Sequence, residues 1–114
     1  MNNEKVINMI KGDTLAFGME FTGLDQDLDS AYFTAKQSYD TTEVVFQKSL
    51  GDGIEKVSTG VYSVRLAPED TAEVNAGKYY YDLQIGVNGD VFTLLYGIIN
   101  LYPDVTTITP VLSL

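Results

Sequence analysis

The sequence contains no cysteine and no histidine. The lack of cysteine excludes disulfides, thiolate zinc sites and cysteine nucleophiles. The lack of histidine removes the usual general base and the commonest ligand of transition metals. Because no set of nucleophile and base can be assembled from the remaining residues, we expect a protein that is not an enzyme and that holds neither a metal nor a cofactor.

Basic residues are also few. Seven lysines and arginines stand against sixteen aspartates and glutamates, which gives a net charge of −9. Such a chain repels phosphate backbones and anionic lipid surfaces, so neither nucleic acid nor a membrane is expected as a partner. An acidic surface favours solubility at high concentration, which suits a protein that awaits assembly.

Long hydrophobic runs are absent as well. No run approaches the roughly 18 apolar residues of a membrane helix. The residues from Met1 to Lys5 show no basic start followed by an apolar block, so we expect no secretory signal. With 114 residues, of which 45% are hydrophobic and 20% charged, the chain is expected to form one domain over residues 1–114. Residues 1–4 and 107–114 are candidate extended tails of that domain.

Apolar alternation with a period of two dominates the sequence, which is typical of half-buried β-strands. In the segment from Val61 to Leu66, for example, Tyr62, Val64 and Leu66 are predicted to face the core. The alternation predicts about seven strands, which lie at Val6–Ile10, Thr14–Phe21, Ala31–Gln37, Val44–Lys48, Val61–Leu66 and on either side of Asn88-Gly89. Short strands at this spacing, with no amphipathic helix between them, predict an all-β sandwich or barrel.

One short helical turn is predicted near Pro68–Thr71. Proline at an early helical position and acidic residues in the first turn both suit a helix start. A helical turn that leads into a strand rich in tyrosine is typical of the corner between strands E and F of immunoglobulin-like sandwiches. We therefore predict an immunoglobulin-like antiparallel β-sandwich.

The pair Asn88-Gly89 predicts a tight hairpin, because both central residues of a type I′ turn need a positive φ. Counting outward from a pairing of Val87 with Asp90 gives the expected register. Four pairs are then predicted to share the face that packs into the core: Ile85 with Phe92, Leu83 with Leu94, Tyr81 with Tyr96, and Tyr79 with Ile98. A slip of one residue would divide these partners between both faces.

The opposite face of this hairpin is predicted to lay Tyr80 over Gly97. It is also more apolar than a solvated face should be, because Tyr80 is joined there by Val91, Leu95 and Ile99. Two interpretations stay open: another strand or the C-terminal tail covers this face, or a neighbouring subunit does. We take Tyr80, Val91, Leu95 and Ile99, together with the tail 111–114, as the candidate protein interface.

The eight tyrosines fall into two groups. Four are predicted to lie in the core, namely Tyr62, Tyr79, Tyr81 and Tyr96. Four are predicted to be exposed, namely Tyr32, Tyr39, Tyr80 and Tyr102. Exposed aromatic rings can stack on sugars or anchor a protein interface.

Alternating acids at Asp25, Asp27 and Asp29 have the spacing of the first ligands in a calcium-binding loop. That loop also needs glycine at its sixth position and a bidentate glutamate at its twelfth. Ser30 and Lys36 occupy those positions. The segment is therefore predicted to be a solvated turn without a metal.

Several short motifs follow one another along most of the chain. They are Gly12-Asp13-Thr14, Leu66 to Thr71, Gly77 to Leu83, Asn88-Gly89, Thr93-Leu94, Gly97 and Asp104-Val105-Thr106. In this order and spacing the chain resembles the immunoglobulin-like N-terminal domain of the baseplate upper protein of phages that infect Gram-positive bacteria, and related small phage and prophage proteins. The resemblance covers about residues 10 to 106.

The resemblance implies a structural component of a tailed phage or prophage virion, made in the bacterial cytoplasm and assembled into the tail, the baseplate or the head. It implies contact with other phage structural proteins, as a homo-oligomer in the particle, and no catalysis. The matched residues are expected to determine the fold rather than to form a binding site. Because the regions that hold receptor-binding proteins have no counterpart after Leu114, we expect docking or decoration and no role in host recognition. The alternative is a carbohydrate-binding or adhesive immunoglobulin-like module that uses exposed tyrosines.

Overall fold

Eight strands and one helical turn are formed by residues 4–105, the part of the chain that the computed structural model describes. The elements are β1 (Glu4–Ile10), β2 (Leu15–Glu20), β3 (Ser30–Lys36), β4 (Phe46–Leu50), β5 (Gly53–Ser58), β6 (Val61–Leu66), α1 (Pro68–Ala72), β7 (Gly77–Val87) and β8 (Asp90–Tyr102). Of the candidate tails, residues 1–3 and 107–114 lie outside the described residues, and Glu4 belongs to β1. Among the described residues, no helix is long and apolar enough to cross a membrane.

The strands follow the order β1-β8-β7-β3-β4-β5-β6-β2. Most neighbours are antiparallel, but β1 runs parallel to β8 and β4 makes a short parallel contact with β5. The sheet folds over at that contact, so that Phe17 of β2 packs against Phe33 of β3 with ring centroids 6.0 Å apart. The result is two layers, β1-β8-β7-β3-β4 and β5-β6-β2, in the strand order of an immunoglobulin-like sandwich.

The core lies between the two layers and is centred on the fully buried ring of Phe33. This ring stacks on Tyr81 at 5.4 Å and on Phe46 at 6.1 Å between centroids. Tyr62 and Leu83 are also buried, as alternation along β6 and β7 predicts. Aromatic pairs of this kind contribute about 0.5–1.5 kcal/mol each beyond the burial of their area. The core-facing pattern expected for β6 and β7 is confirmed.

The corner between β6 and β7 is locked by the side chain of Tyr79. Its hydroxyl donates a hydrogen bond to the carbonyl oxygen of Asn75, just before the strand begins. A buried tyrosine that is bonded back to the chain upstream of it is a hallmark of the E–F corner in immunoglobulin-like domains. The predicted fold, an all-β immunoglobulin-like sandwich with a helical turn at this corner, is confirmed.

The helical turn α1 explains why three motif residues occur together. The carboxylate of Asp70 accepts a hydrogen bond from the amide of Ala67 (2.7 Å) and pairs with the ammonium of Lys48 (2.8 Å). The hydroxyl of Thr71, which is fully buried, accepts a hydrogen bond from the amide of Gly12 (2.8 Å). Asp70, Thr71 and Gly12 therefore hold the chain in shape, as expected for residues that determine the fold.

The strand β5 was not predicted from the sequence. β5 carries a single buried side chain, Ile54, and its other residues are exposed or half-buried. Because the three successive residues Glu55, Lys56 and Val57 are all exposed, the segment shows no regular alternation. Its ladder to β6 also shifts register between Lys56 and Ser58, which further obscures the period. Residues 4–105 therefore form eight strands, where about seven were expected.

Candidate functional site

The β7–β8 hairpin reverses at Asn88 and Gly89, whose φ angles of 53° and 85° are those of the predicted type I′ turn. Val87 pairs with Asp90, and Ile85 with Phe92, as predicted. Beyond Gln84, which pairs with Thr93, the register shifts by one residue. The structure therefore contains a β-bulge at Leu94, an extra residue on β8 that has no partner of its own on β7.

The bulge makes the far half of the predicted register wrong. Leu83 pairs with Leu95 instead of Leu94, and Asp82 pairs with Tyr96. Tyr81, not Tyr80, lies opposite Gly97, and Tyr79 lies opposite Ile99. Every side chain of β8 after the bulge consequently points to the face opposite the one that simple counting assigns to it.

The four residues of the candidate interface are therefore divided between two faces. Ile99 is 1% exposed and lies in the core. Leu95 is half-buried and packs against the core residues. Tyr80 and Val91 remain on the outer face, where Val91 is 66% exposed. The prediction that all four share one face of the hairpin is wrong because of the bulge, and a contact role for Tyr80 and Val91 stays a prediction. The tail 111–114 lies outside the described residues.

Gly97 allows β1 to cover the end of β8. A Cβ atom at this position would lie 2.2 Å from the carbonyl oxygen of Lys5, so only glycine permits the observed approach. The same carbonyl accepts a hydrogen bond from the hydroxyl of Tyr81 (2.9 Å). Glycine at position 97 is thus required by the parallel strand beside it, and the side chain that crosses it to reach Lys5 is that of Tyr81, not the predicted Tyr80.

The outer face of the β1–β8 pair carries an apolar surface that alternation on β7 and β8 alone did not predict. Val6 lies beside Ile98, and Ile10 lies beside Tyr102. Val6 is 56% exposed, and Ile10 and Tyr102 are also exposed. Between these two apolar pairs, the side-chain amide of Asn100 donates a hydrogen bond to the amide oxygen of Asn8 (3.0 Å). We call these six residues the β1–β8 strip.

A second feature of the same face is a cleft of about 260 Å³ over β3 and β7. Its aromatic lining residues are Tyr39, Tyr80, Tyr81 and Tyr96, and its charged ones are Lys36 and Asp82. Tyr39 lies in the loop after β3, and its ring meets that of Tyr80 with centroids 4.4 Å apart and planes tilted by 40°. We call this site the tyrosine cleft.

Three tyrosines around this cleft test the predicted division into core and surface. Tyr39 is exposed as predicted, and Tyr80 is half-buried. Tyr96 was predicted in the core but is 40% exposed, because the bulge turns it outward beside Asp82. The remaining tyrosines agree with their predicted environment.

Asp82 lies on the floor of the tyrosine cleft, between Thr34 of β3 and Tyr96 of β8. Burial raises the pKa of its carboxyl above the ordinary value, and the nearby ammonium of Lys36 lowers this pKa in part. Among the described residues, the Asp82 carboxylate takes part in no hydrogen bond and no ion pair. A partly desolvated carboxylate without a bonding partner is a group that a ligand's donors can satisfy.

A third concavity lies at the hairpin end of the sandwich. It encloses about 500 Å³ and is lined mainly by apolar side chains, among them Phe21, Leu24, Val87, Phe92 and Leu94. It carries no charged lining residue. Nothing in its lining distinguishes one kind of occupant from another.

Residues 4–105 contain no cluster of three or more acidic, histidine or cysteine side chains that could hold a metal ion. In the acidic segment, Asp27 instead forms an ion pair with Lys56 at 2.7 Å. This surface pair contributes little to stability, because both side chains are well exposed.

Comparison with known proteins finds likenesses among solved structures. Neither a scan against protein-family models nor a search of curated proteins finds a match. Among solved structures, the chain is similar to the extracellular domain of the voltage-gated sodium channel beta4 subunit, for which parallel homodimers explain a role in cell–cell adhesion. The two chains share 14% identity over 92% of this chain and 96% of that chain, with a TM-score of 0.48. A likeness of this degree says nothing about what this chain binds.

Proposed function

We propose that the chain is a structural component of a tailed phage or prophage virion, made in the bacterial cytoplasm and assembled into the tail, baseplate or head. It acts as an assembly module among other phage structural proteins. Its β1–β8 strip contacts a further copy of the same chain. The observation that carries this proposal is the exposed apolar surface of the strip.

The strip is suited to a second copy for an electrostatic reason. At a net charge of −9, two copies repel each other over most orientations. The six residues of the strip carry no charge, so a contact there avoids placing carboxylates opposite each other. Because the centre of a protein interface is depleted of charged residues and enriched in aromatic ones, the strip has the composition of an interface centre.

The arrangement of the strip also favours self-association. The Asn8–Asn100 amide pair lies between the Val6–Ile98 pair and the Ile10–Tyr102 pair. A two-fold contact brings one surface patch against itself, so apolar ends on both sides of a polar centre are self-complementary. The two amides bond each other within one copy, which limits the cost of covering them.

Support for the phage assignment comes from the resemblance of the motifs. Gly12, Asp70 and Thr71 belong to those motifs, and their hydrogen bonds and ion pair hold the corner of the sandwich. They support a shared fold with the baseplate domain, and they leave the position within the virion to experiment.

Purified phage particles from the producing strain test the assignment directly. Mass spectrometry is expected to find the chain in a fixed ratio to the major structural proteins of the particle. If the chain is absent from particles while it is abundant in the cell, the virion role is wrong.

The strip is tested by Val6→Lys with Val57→Lys as its matched control. Val57 is 64% exposed on β5, in the other layer of the sandwich. Val6→Lys is expected to weaken self-association in light scattering and to reduce incorporation into particles, whereas Val57→Lys leaves both unchanged. A chain that stays monomeric at high concentration, with normal incorporation of Val6→Lys, would show that the strip is not the contact. If light scattering stays unchanged while incorporation falls, the strip contacts another virion protein instead of a second copy.

A further inference from the structure

The tyrosine cleft brings together aromatic rings, hydroxyls and one carboxylate in the manner of a ligand site. Its floor is the row formed by Thr34, Asp82 and Tyr96 on three adjacent strands. Its wall is the Tyr39–Tyr80 pair, in which Tyr39 is 67% exposed. The cleft thus offers the exposed ring of Tyr39, tilted against that of Tyr80, beside a polar floor.

The polar groups of the floor are ready to bond a ligand. The carboxylate of Asp82 has no hydrogen-bond partner among the described residues, and so it can accept bonds from two donors. The hydroxyl of Thr34 accepts a hydrogen bond from the side-chain amide of Gln47 (2.9 Å) and keeps its own hydrogen to donate. The ammonium of Lys36, opposite Tyr80, is a further donor at the same rim.

The cleft contains one negative and one positive side chain, Asp82 and Lys36, so a ligand of either charge would meet a like charge there. An anion would meet the Asp82 carboxylate in a protein whose net charge is −9. A cation would meet Lys36, and the ring of Tyr80 already has the ammonium of Lys78 at 5.3 Å from its centroid. A purely apolar ligand would bury the Asp82 carboxylate without a donor, which is costly. A neutral ligand that has both hydroxyl donors and an apolar face meets none of these penalties.

We propose that the tyrosine cleft binds a neutral pyranose ring of a glycan. The apolar face of the ring packs on Tyr39 and Tyr80, and its hydroxyls donate to Asp82. The volume of about 260 Å³ lies below the roughly 300–1,000 Å³ of sites for drug-sized ligands. The cleft therefore suits a ligand smaller than a drug-sized molecule, such as a single sugar ring.

This site adjoins the proposed contact between copies but shares no residue with it. The cleft lies over β3, β7 and part of β8, and its Tyr80 lies opposite Ile98 of the strip. Glycan binding by the isolated chain and assembly of the chain into particles are measured separately, so either proposal can fail alone.

The test is an NMR titration of the isotope-labelled chain with neutral methyl pyranosides of glucose, galactose, N-acetylglucosamine and rhamnose, up to tens of millimolar. Amide shifts are expected at Tyr80, Asp82 and Tyr96 with at least one of these sugars. Tyr39→Ala and Asp82→Asn are each expected to weaken binding about tenfold, which corresponds to about 1.4 kcal/mol. Tyr39 is largely exposed and Asp82→Asn keeps the shape of the side chain, so neither change is expected to unfold the chain.

Tyr32→Ala is the matched control. Tyr32 is exposed on the same strand as Thr34 but lies outside the lining of the cleft, so its removal is expected to leave the affinity unchanged. No shift with any of the four sugars would overturn the proposal. Shifts that persist in Tyr39→Ala and Asp82→Asn, or that appear only with methylammonium or acetate as probes, would also overturn it.

Discussion

The part of β8 near the turn and the part farther from it both alternate along the same strand, yet their apolar side chains differ in burial. Near the turn, from Asp90 to Leu95, β8 is an edge strand that pairs with β7 alone. From Tyr96 onward it also pairs with β1 and becomes an interior strand. In the first half Val91 and Phe92 are exposed, whereas in the second half Ile99 and Leu101 are buried.

The bulge at Leu94 lies immediately before this boundary. Bulges are common at sheet edges, where an extra residue bends the strand and redirects its side chains. Here the change in direction brings Ile99 and Leu101 to the face that β1 helps to cover, beside Ile7 and Met9. The comparison shows that the neighbouring strand and one extra residue decide burial, while the alternation of β8 alone does not.

The largest effect is expected from removing one residue within the interior half of β8. Deletion of Ile98 would turn Ile99 and Leu101 outward and bring Asn100 into the core. Loss of two fully buried aliphatic side chains costs roughly 3–6 kcal/mol, a large share of the stability of a domain of this size. Urea unfolding followed by circular dichroism is expected to show a midpoint at a much lower urea concentration than that of the native chain.

Deletion of Leu94 is the matched control, because it removes the extra residue and leaves the pairing of Leu83 with Leu95 in place. It is expected to cost only about 1–2 kcal/mol, for the loss of one half-buried leucine side chain. Equal losses in the two deletion variants would mean that the extra residue does not lie at Leu94.

Gly97→Ala is expected to break the interior half by separating β1 from β8. The new Cβ would collide with the Lys5 carbonyl, and the φ of 154° is itself rarely adopted by residues with a side chain. We expect a loss of about 2–4 kcal/mol, measured by urea unfolding. Hydrogen exchange should show faster exchange at the β1 amides first, and unchanged protection there would contradict this account.

Gly89→Ala affects only the turn and should have a smaller effect. The φ of 85° is strained for alanine, but no atom lies within 4 Å of the position that its Cβ would take. The expected loss is about 1 kcal/mol, again measured by urea unfolding. A loss as large as that of Gly97→Ala would mean that backbone strain, and not the contact with Lys5, explains both positions.

The smallest effect is expected from Asp82→Asn on the outer face. Because burial raises the pKa of the Asp82 carboxyl, the folded chain favours its protonated form. The resulting stabilisation is complete below the ordinary pKa of 3.8 and is lost as the pH rises through the raised value. The melting temperature of the variant should therefore exceed that of the native chain at pH about 7 and approach it at pH about 3. The opposite trend would contradict the assigned cause.

Much of the fold can be predicted from the sequence, because local rules and tertiary contacts agree in most elements. Alternation identifies the inner faces of β2, β6 and β7, and Asn88-Gly89 identifies the turn. Proline and acids identify the helical turn, where Tyr79 closes the corner. In contrast, β5 has too little burial to show a period.

The candidate site could be predicted only in part. The run Thr93-Leu94-Leu95-Tyr96 contains adjacent apolar residues, so nothing in its pattern shows which one lacks a partner. Counting through it places Tyr96 in the core and Ile99 on the surface, the reverse of what is found. The exposure of Tyr39 is predictable, but its contact with Tyr80 depends on the path of the loop after β3, which no local rule determines.

The parallel pairing of β1 with β8 has a consequence for how the chain folds as it is synthesised. β1 leaves the ribosome early, but its partner residues, from Tyr96 to Tyr102, follow about ninety positions later. During that interval its backbone donors and acceptors have no ladder to join, and its apolar side chains are open to unwanted association with other nascent chains. Closure of the sandwich is therefore a late event, and the speed of translation from β1 to the end of β8 sets how long that exposure lasts.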